Sequence, residues 1–271
     1  MSRSYNCAVD DERSAGLLDA ASTVRKGELA VLPTDTVYGI GADAFNPTAV
    51  RALLDAKGRG REMPPPVLVG SVRAAHALID DLGSYGQDLI DEFWPGPLTI
   101  VCAAVPSLSW DLGDTKGTVA VRMPMHEVAL ELLKDVGPMA VSSANRSGET
   151  AATTVEQARE QLGDSVAVYL DGGPCDDASV PSTIVDLTYA VPRVLRSGAI
   201  SVEQLRAVCS TVLAEPQSSP EQSAPPRTPD AGSDAADTGA AEGGETDTAS
   251  RAEANGAASA NGVGGDTTAP N

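Results

Sequence analysis

A chain of 271 residues with 19 basic and 38 acidic side chains carries a formal charge of −19. That balance argues against a general polyanion binder, and the length leaves room for one large domain or two small ones, with a core that needs no disulfides. Four cysteines and two histidines lie far apart, with no Cys-x-x-Cys pair and no Cys/His spacing suited to zinc, so thiols in a reducing compartment are expected.

The opening MSRSYNCAVDDERS has no apolar leader core, and no apolar run is long enough to span a bilayer. A soluble protein without signal peptide or membrane span is expected. Asp11–Lys26 predicts a helix with Leu17, Leu18, Ala21 and Val24 on one face, stopped by Gly27. Leu29–Leu32 reads as a short apolar strand. Asn46 and Pro47 then open a helix to about Ala56, Asn as cap and Pro in the first turn. Val67–Val69 is a buried strand, and Ser71 caps a helix through Ile79. Leu89–Trp94 ends a further helix at Pro95-Gly96-Pro97, and Leu98–Val105 is the next strand.

Thr118–Met123 alternates as a strand, Glu127–Lys134 is helical and Met139–Ser142 is a strand. Thr154-x-x-Gln157 and Ser201-x-x-Gln204 resemble capping boxes. Between them lie strands at Val166–Leu170, Thr183–Leu187 and Val194–Arg196. Alternating strands and helices without an internal linker predict one α/β domain over residues 1–213. From Ala214 to Asn271 the chain is almost wholly Ala, Gly, Ser, Thr, Pro and acidic or amide residues, and a disordered acidic tail is expected. The tail holds 10 of the acids and 2 arginines, which leaves the domain at −11.

Four polar clusters stand at the ends of apolar strands, where α/β folds place ligand contacts. Pro33–Gly41 contains Thr34, Asp35, Thr36 and Tyr38; its hydroxyls could satisfy their own turn or face a ligand. Gly39, Gly41 and Ala44 also spell a dinucleotide loop, but Asp43–Pro47 separates them from the next helix, so that reading is weak. Lys57-Gly-Arg59-Gly-Arg61 brings three cations among glycines: a phosphate site, or simply the cations a helix C-terminus favours. It is not a Walker loop. Ser142–Gly148 follows a strand with small hydroxyl and amide side chains, suited to phosphate or ribose or to a plain polar turn. Arg122, Ser182-Thr183 and Arg196-Ser197-Gly198 form the fourth group. Arg122, between Val121 and Met123, is costly to place unless it meets an anion.

The stretches PTDTVYGIGADAF, KGR, FWPGPLTIV, TVAVRMP, VSSANRSG, PSTIVD and VLRSGAI occur in this order. Together they resemble the YrdC-type threonylcarbamoyl-adenylate synthase family over about residues 10–210. The resemblance implies a single YrdC-like α/β domain, a twisted mixed sheet flanked by helices, with a concave ligand pocket. It implies that L-threonine, bicarbonate or CO2, and ATP with Mg²⁺ become threonylcarbamoyl-AMP and pyrophosphate. A separate tRNA threonylcarbamoyltransferase would take the product. The same resemblance assigns ATP to Lys57, Arg59, Thr118, Ser143, Asn145 and Arg196, with Lys57 and Arg59 as the catalytic cations. It assigns threonine to Thr36, Arg122 and Ser182, with no resident metal and a cytoplasmic location. Arg122 is expected to meet the threonine carboxylate, since three other cations serve the phosphates. Asp35 is the one candidate general base. The pattern departs at Met63 and Leu68, which stand where relatives place polar contacts. The rival reading is an RNA-binding module of the same fold, with at most a weak tRNA contact, and the charge and the 3% aromatic content supply it poorly.

Overall fold

The computed structural model describes residues 1–175 and 180–214. The expected tail beyond residue 214 lies outside the described residues. The first half runs β1 (Arg3–Asn6), α1 (Asp10–Arg25), β2 (Ala30–Leu32), β3 (Gly39–Asp43), α2 (Pro47–Lys57), β4 (Val67–Leu68), α3 (Val72–His76), β5 (Ile79–Asp81) and α4 (Gly86–Phe93). The second half runs β6 (Leu98–Ala104), β7 (Thr118–Arg122), α5 (Glu127–Val136), β8 (Met139–Ser143) and α6 (Val155–Leu162). It closes with β9 (Val168–Asp171), β10 (Thr183–Asp186), β11 (Arg193–Arg196), α7 (Val202–Val208) and β12 (Leu213–Ala214).

All strands join one mixed sheet, in the order β1-β9-β2-β3-β8-β4-β7-β6-β10-β11-β12, with β5 paired to β6. Residues alternate faces along each strand. Ala30 and Leu32 therefore pack with α1 and α5, beside Val128, Leu132, Val168 and Leu170. Val31 faces the other way, with Ile40, Leu53, Val155 and Tyr169 from β3, α2, α6 and β9. A third cluster, around Val67, Leu89, Ile100, Val121 and Val185, fills the other half of the sheet. This is the mixed α/β domain the sequence predicts. Among the described residues no helix is long and apolar enough to cross a membrane.

Local chemistry explains the elements that were legible. The Asn46 side chain accepts from Thr48 N and Ala49 N at 3.1 Å each, and Pro47 needs no partner there. Ser201 and Gln204 form the full capping box. At Thr154 only half of it exists: Gln157 N donates to Thr154 Oγ1, while the Gln157 side chain accepts from Thr153. Three readings need correction. Ala21 and Val24 are buried as expected, but Leu18 is exposed and Ala20 packs inward in its place. The helix from Ser71 stops at His76, and Ile79 joins a strand beside Ala104 of β6. The glycine-bearing stretch at 39–41 is not a loop but the central strand β3. A Cβ on Gly39 would sit 2.7 Å from Val141 Cγ1, and one on Gly41 2.6 Å from Met139 Cε, so a larger residue at either position would force these β8 side chains to shift.

Candidate functional site

The segment between β2 and β3 folds back on itself. Thr34 Oγ1 donates to Val37 O at 2.6 Å and accepts from Thr36 N at 3.2 Å, and the two threonine hydroxyls lie 3.1 Å apart. Tyr38 is wholly buried, its hydroxyl donating to Gly173 O at 2.5 Å. Burial pushes its phenol well above the ordinary range. This segment is thereby fixed against β8 and the end of β9.

A cavity of about 360 Å³ opens beside it. Its polar lining includes Thr36, Arg59, Thr99, Arg122, Ser143, Ser182 and Arg196, and its apolar wall includes Met63, Leu68, Val141 and Ile184. Three arginines line it, and among the described residues no carboxylate does. Of the nine residues expected to bind substrates, six thus line one space: Thr36, Arg59, Arg122, Ser143, Ser182 and Arg196. They come from six separate segments, brought together because β3, β8, β7, β10 and β11 lie close in the sheet and Arg59 follows α2.

Arg122 ends β7 and is 6% exposed. The sequence reading gives it a substrate anion; the structure gives it a resident one first. Its Nη2 donates to Asp35 Oδ1 at 2.6 Å, Nη1 to Thr36 Oγ1 at 3.0 Å, and Nε to Gly96 O at 3.0 Å. A guanidinium has five N–H donors, so two remain for the cavity. Burial pulls the Arg122 guanidinium down from its usual value, and Asp35 opposes that. Asp35 also accepts from Met125 N at 2.9 Å, while its Oδ2 is buried without a partner. A carboxylate held this way behind the wall is poorly placed as a general base.

Arg196 donates through Nε and Nη2 to Ser182 O, at 3.0 and 2.7 Å, and through Nη2 to Ser182 Oγ at 3.0 Å. Ser182 Oγ lies 2.8 Å from Thr99 Oγ1. Thr99 escaped the sequence reading; its one signal is a hydroxyl inside the apolar run Leu98–Val101. Arg59 is held loosely, at 3.4 Å from both Ser147 Oγ and Ser142 Oγ. Burial draws Arg59 and Arg196 below their ordinary range, and at Arg196 the charges of Arg122 and Arg59 add to the effect. A partly buried guanidinium with two more nearby is well placed to meet an anion.

The other three expected residues are placed differently. Lys57 is 1% exposed, and its ammonium donates to the backbone oxygens of Ser143 and Asn145, behind the cavity wall. Asn145 Nδ2 donates to Arg146 O and Glu149 O at 2.8 Å each, within its own loop. Thr118 stands apart, its hydroxyl donating to Thr115 O at 2.7 Å.

Burial first, and then Arg59, push the Lys57 ammonium down to about 7. The unfolded chain then holds more protons than the folded one from about pH 7 up to the ordinary lysine value, so stability rises with pH across that window. The wild-type melting temperature is expected to climb more between pH 7 and pH 9 than that of Lys57→Met. Equal slopes in the two proteins would show that Lys57 does not titrate there.

The fold and cavity define an α/β domain with a chamber lined by arginines and hydroxyls. The Sua5–YciO–YrdC family model, described as "Telomere recombination", matches residues 22–198. A Mycobacterium tuberculosis protein with a provisional threonylcarbamoyl-AMP synthase name is 55% identical over 208 residues, 77% of this chain and 95% of that one. The Bacillus subtilis threonylcarbamoyl-AMP synthase is 36% identical over 209 residues, 75% of this chain and 60% of that one. The crystal structure of Pyrococcus abyssi Sua5 complexed with L-threonine superposes with a TM-score of 0.73 at 32% identity, over 80% of this chain and 63% of that one. The chain belongs to the Sua5–YciO–YrdC family.

Proposed function

We infer that this chain is a threonylcarbamoyl-AMP synthase, acting in the cytoplasm. The observation that carries the chemistry is the cavity itself: three guanidiniums and several hydroxyls face one space, with no carboxylate lining it among the described residues. The threonine amine bonds to the carbon of CO2 and gives up a proton, or bonds to the carbon of bicarbonate with loss of water; either way a carbamate results. A carbamate oxygen then attacks the α-phosphorus of ATP, the bond to the β-phosphate oxygen breaks, and pyrophosphate leaves with the electron pair. This step needs positioned charge more than a protein nucleophile.

Thr36, Ser182 and the two remaining donors of Arg122 suit the threonine carboxylate and hydroxyl. Arg59 and Arg196 suit the phosphates, with Ser143 beside the nucleotide, while Lys57 and Asn145 support that wall. Thr118 has no part in this arrangement. Mg²⁺ belongs to the substrate MgATP. Among the described residues no group of three or more acidic, His or Cys side chains could hold a metal, so phosphate oxygens and water would supply its ligands. The product goes to a separate transferase that modifies tRNA.

Incubation with threonine, bicarbonate and labelled ATP tests the reading. Threonine-dependent pyrophosphate release is expected. Salt-sensitive RNA retention without turnover would replace it with the RNA-binding alternative, which the −11 charge of residues 1–213 opposes.

A further inference from the structure

Lys57 is among the largest wholly buried side chains, and no carboxylate pairs with it among the described residues. A buried cation in such a place must satisfy its donors elsewhere. It does so on backbone. Nζ donates to Ser143 O and, at 2.6 Å, to Asn145 O, with Asn145 Oδ1 at 3.5 Å. The connection runs both ways, because Ser147 N donates to Lys57 O at 2.9 Å. One residue at the end of α2 thus holds three points of the loop that follows β8. Ala144 N donates to Tyr38 O at 2.7 Å, so the loop is also pinned to the threonine-rich segment.

The front of that loop is the cavity wall. Ser142 and Ser143 line it, and Ser142 Oγ and Ser147 Oγ are the side-chain partners of Arg59. Lys57 does not line the cavity; Arg59, two residues on, does. The charged group that faces Lys57 is Arg59, and the loop segment Ser142–Asn145 supplies no titratable side chain. A direct phosphate contact would require the ammonium to leave both carbonyls and cross the wall it holds.

We propose that Lys57 is a positioning residue: its buried ammonium ties the end of α2 to the carbonyls of Ser143 and Asn145, and so sets the nucleotide-facing wall without touching the phosphates. The proposal rests on the synthase reading above. It divides the two cations of the Lys57-x-Arg59 pair between different tasks. Lys57 shapes the surface that meets the nucleoside, and Arg59 meets the phosphates.

The two tasks separate by ligand. Calorimetric titrations of the full chain with ATP, AMP and L-threonine would be compared for wild type, Lys57→Met, Lys57→Gln and Arg59→Met. In Lys57→Met, AMP and ATP are expected to weaken by the same factor, about tenfold. Threonine affinity should stay within about twofold, since a general loss of structure would lower all three ligands together. Lys57→Gln retains one amide donor toward the carbonyls and should show equal but smaller losses; it carries the same comparison if the Met variant does not fold. Arg59→Met should weaken ATP much more than AMP. The proposal is overturned if Lys57 variants lose ATP while keeping AMP, if threonine weakens as much as the nucleotides, or if no ligand weakens. A failure of the synthase reading would show in the wild-type titrations, whereas a failure here shows in the ratio of variant to wild type.

Discussion

Replacing Arg122 with Met should cost about 3–5 kcal/mol of folding stability, because it leaves Asp35 buried without its counter-charge. The side chains of Arg122 and Asp35 are each only 7% exposed, and their 2.6 Å contact is the one ion pair of this depth among the described residues. Water cannot compensate a carboxylate enclosed this way. Adding Asp35→Asn should restore most of the loss, since a buried pair removed together leaves no stranded charge. The double variant then isolates the binding role. If the two free Arg122 donors take the threonine carboxylate, threonine affinity in the refolded double variant should still be about ten- to a hundredfold weaker. Arg122→Lys should keep the charge but not the fork, and recover only part of either property. Chemical denaturation and calorimetry read the two effects separately. A single variant as stable as wild type would mean that the pair does not support the fold. A double variant with ordinary threonine affinity would remove Arg122 from the threonine site.

Arg59→Met should lower turnover by about a hundred- to a thousandfold at saturating ATP, with little change in the KM for threonine. Arg59 lines the cavity and is held only by two serine hydroxyls at 3.4 Å, so its donors are free to tighten on charge as it develops. The charge that grows as the carbamate attacks lies on the departing pyrophosphate. A cation that holds the phosphates of bound ATP and tightens further as this charge grows lowers the barrier as well as holding ATP, so the loss on its removal persists at saturating ATP. Steady-state kinetics with both substrates varied would measure this. Turnover within about threefold of wild type would show that Arg59 takes no part in the chemical step.

What could be read from the sequence was mostly local. Asn46 and Pro47 open α2, because a cap acts within a turn of the helix end. The six residues that do meet at the cavity were legible only as an ordered set, since each cluster alone fits a plain turn. Pairings across the chain were not legible. Asp35 and Arg122 are separated by 87 positions, and Lys57 lies 86 and 88 positions from the carbonyls it holds. Nothing in the text of the sequence distinguishes a lysine aimed at a phosphate from one aimed at a backbone oxygen. The edge strands β1 and β12 went unread for another reason: four residues, RSYN, and two, Leu-Ala, are too short to show a period.

The Asp35–Arg122 pair also bears on how one cavity can keep two anionic guests in order. On the proposed assignment Arg122 would meet threonine already neutralised by Asp35, so what it offers is the shape of its remaining N–H groups rather than net charge. A flat, singly charged carboxylate matches such a fork, and a tetrahedral, multiply charged phosphate gains less from it. Arg59 and Arg196 form no ion pair among the described residues, and they keep the long-range pull that a triphosphate answers. On the proposed assignment the chamber would sort its occupants by geometry at one end and by charge at the other, with one buried aspartate making the difference.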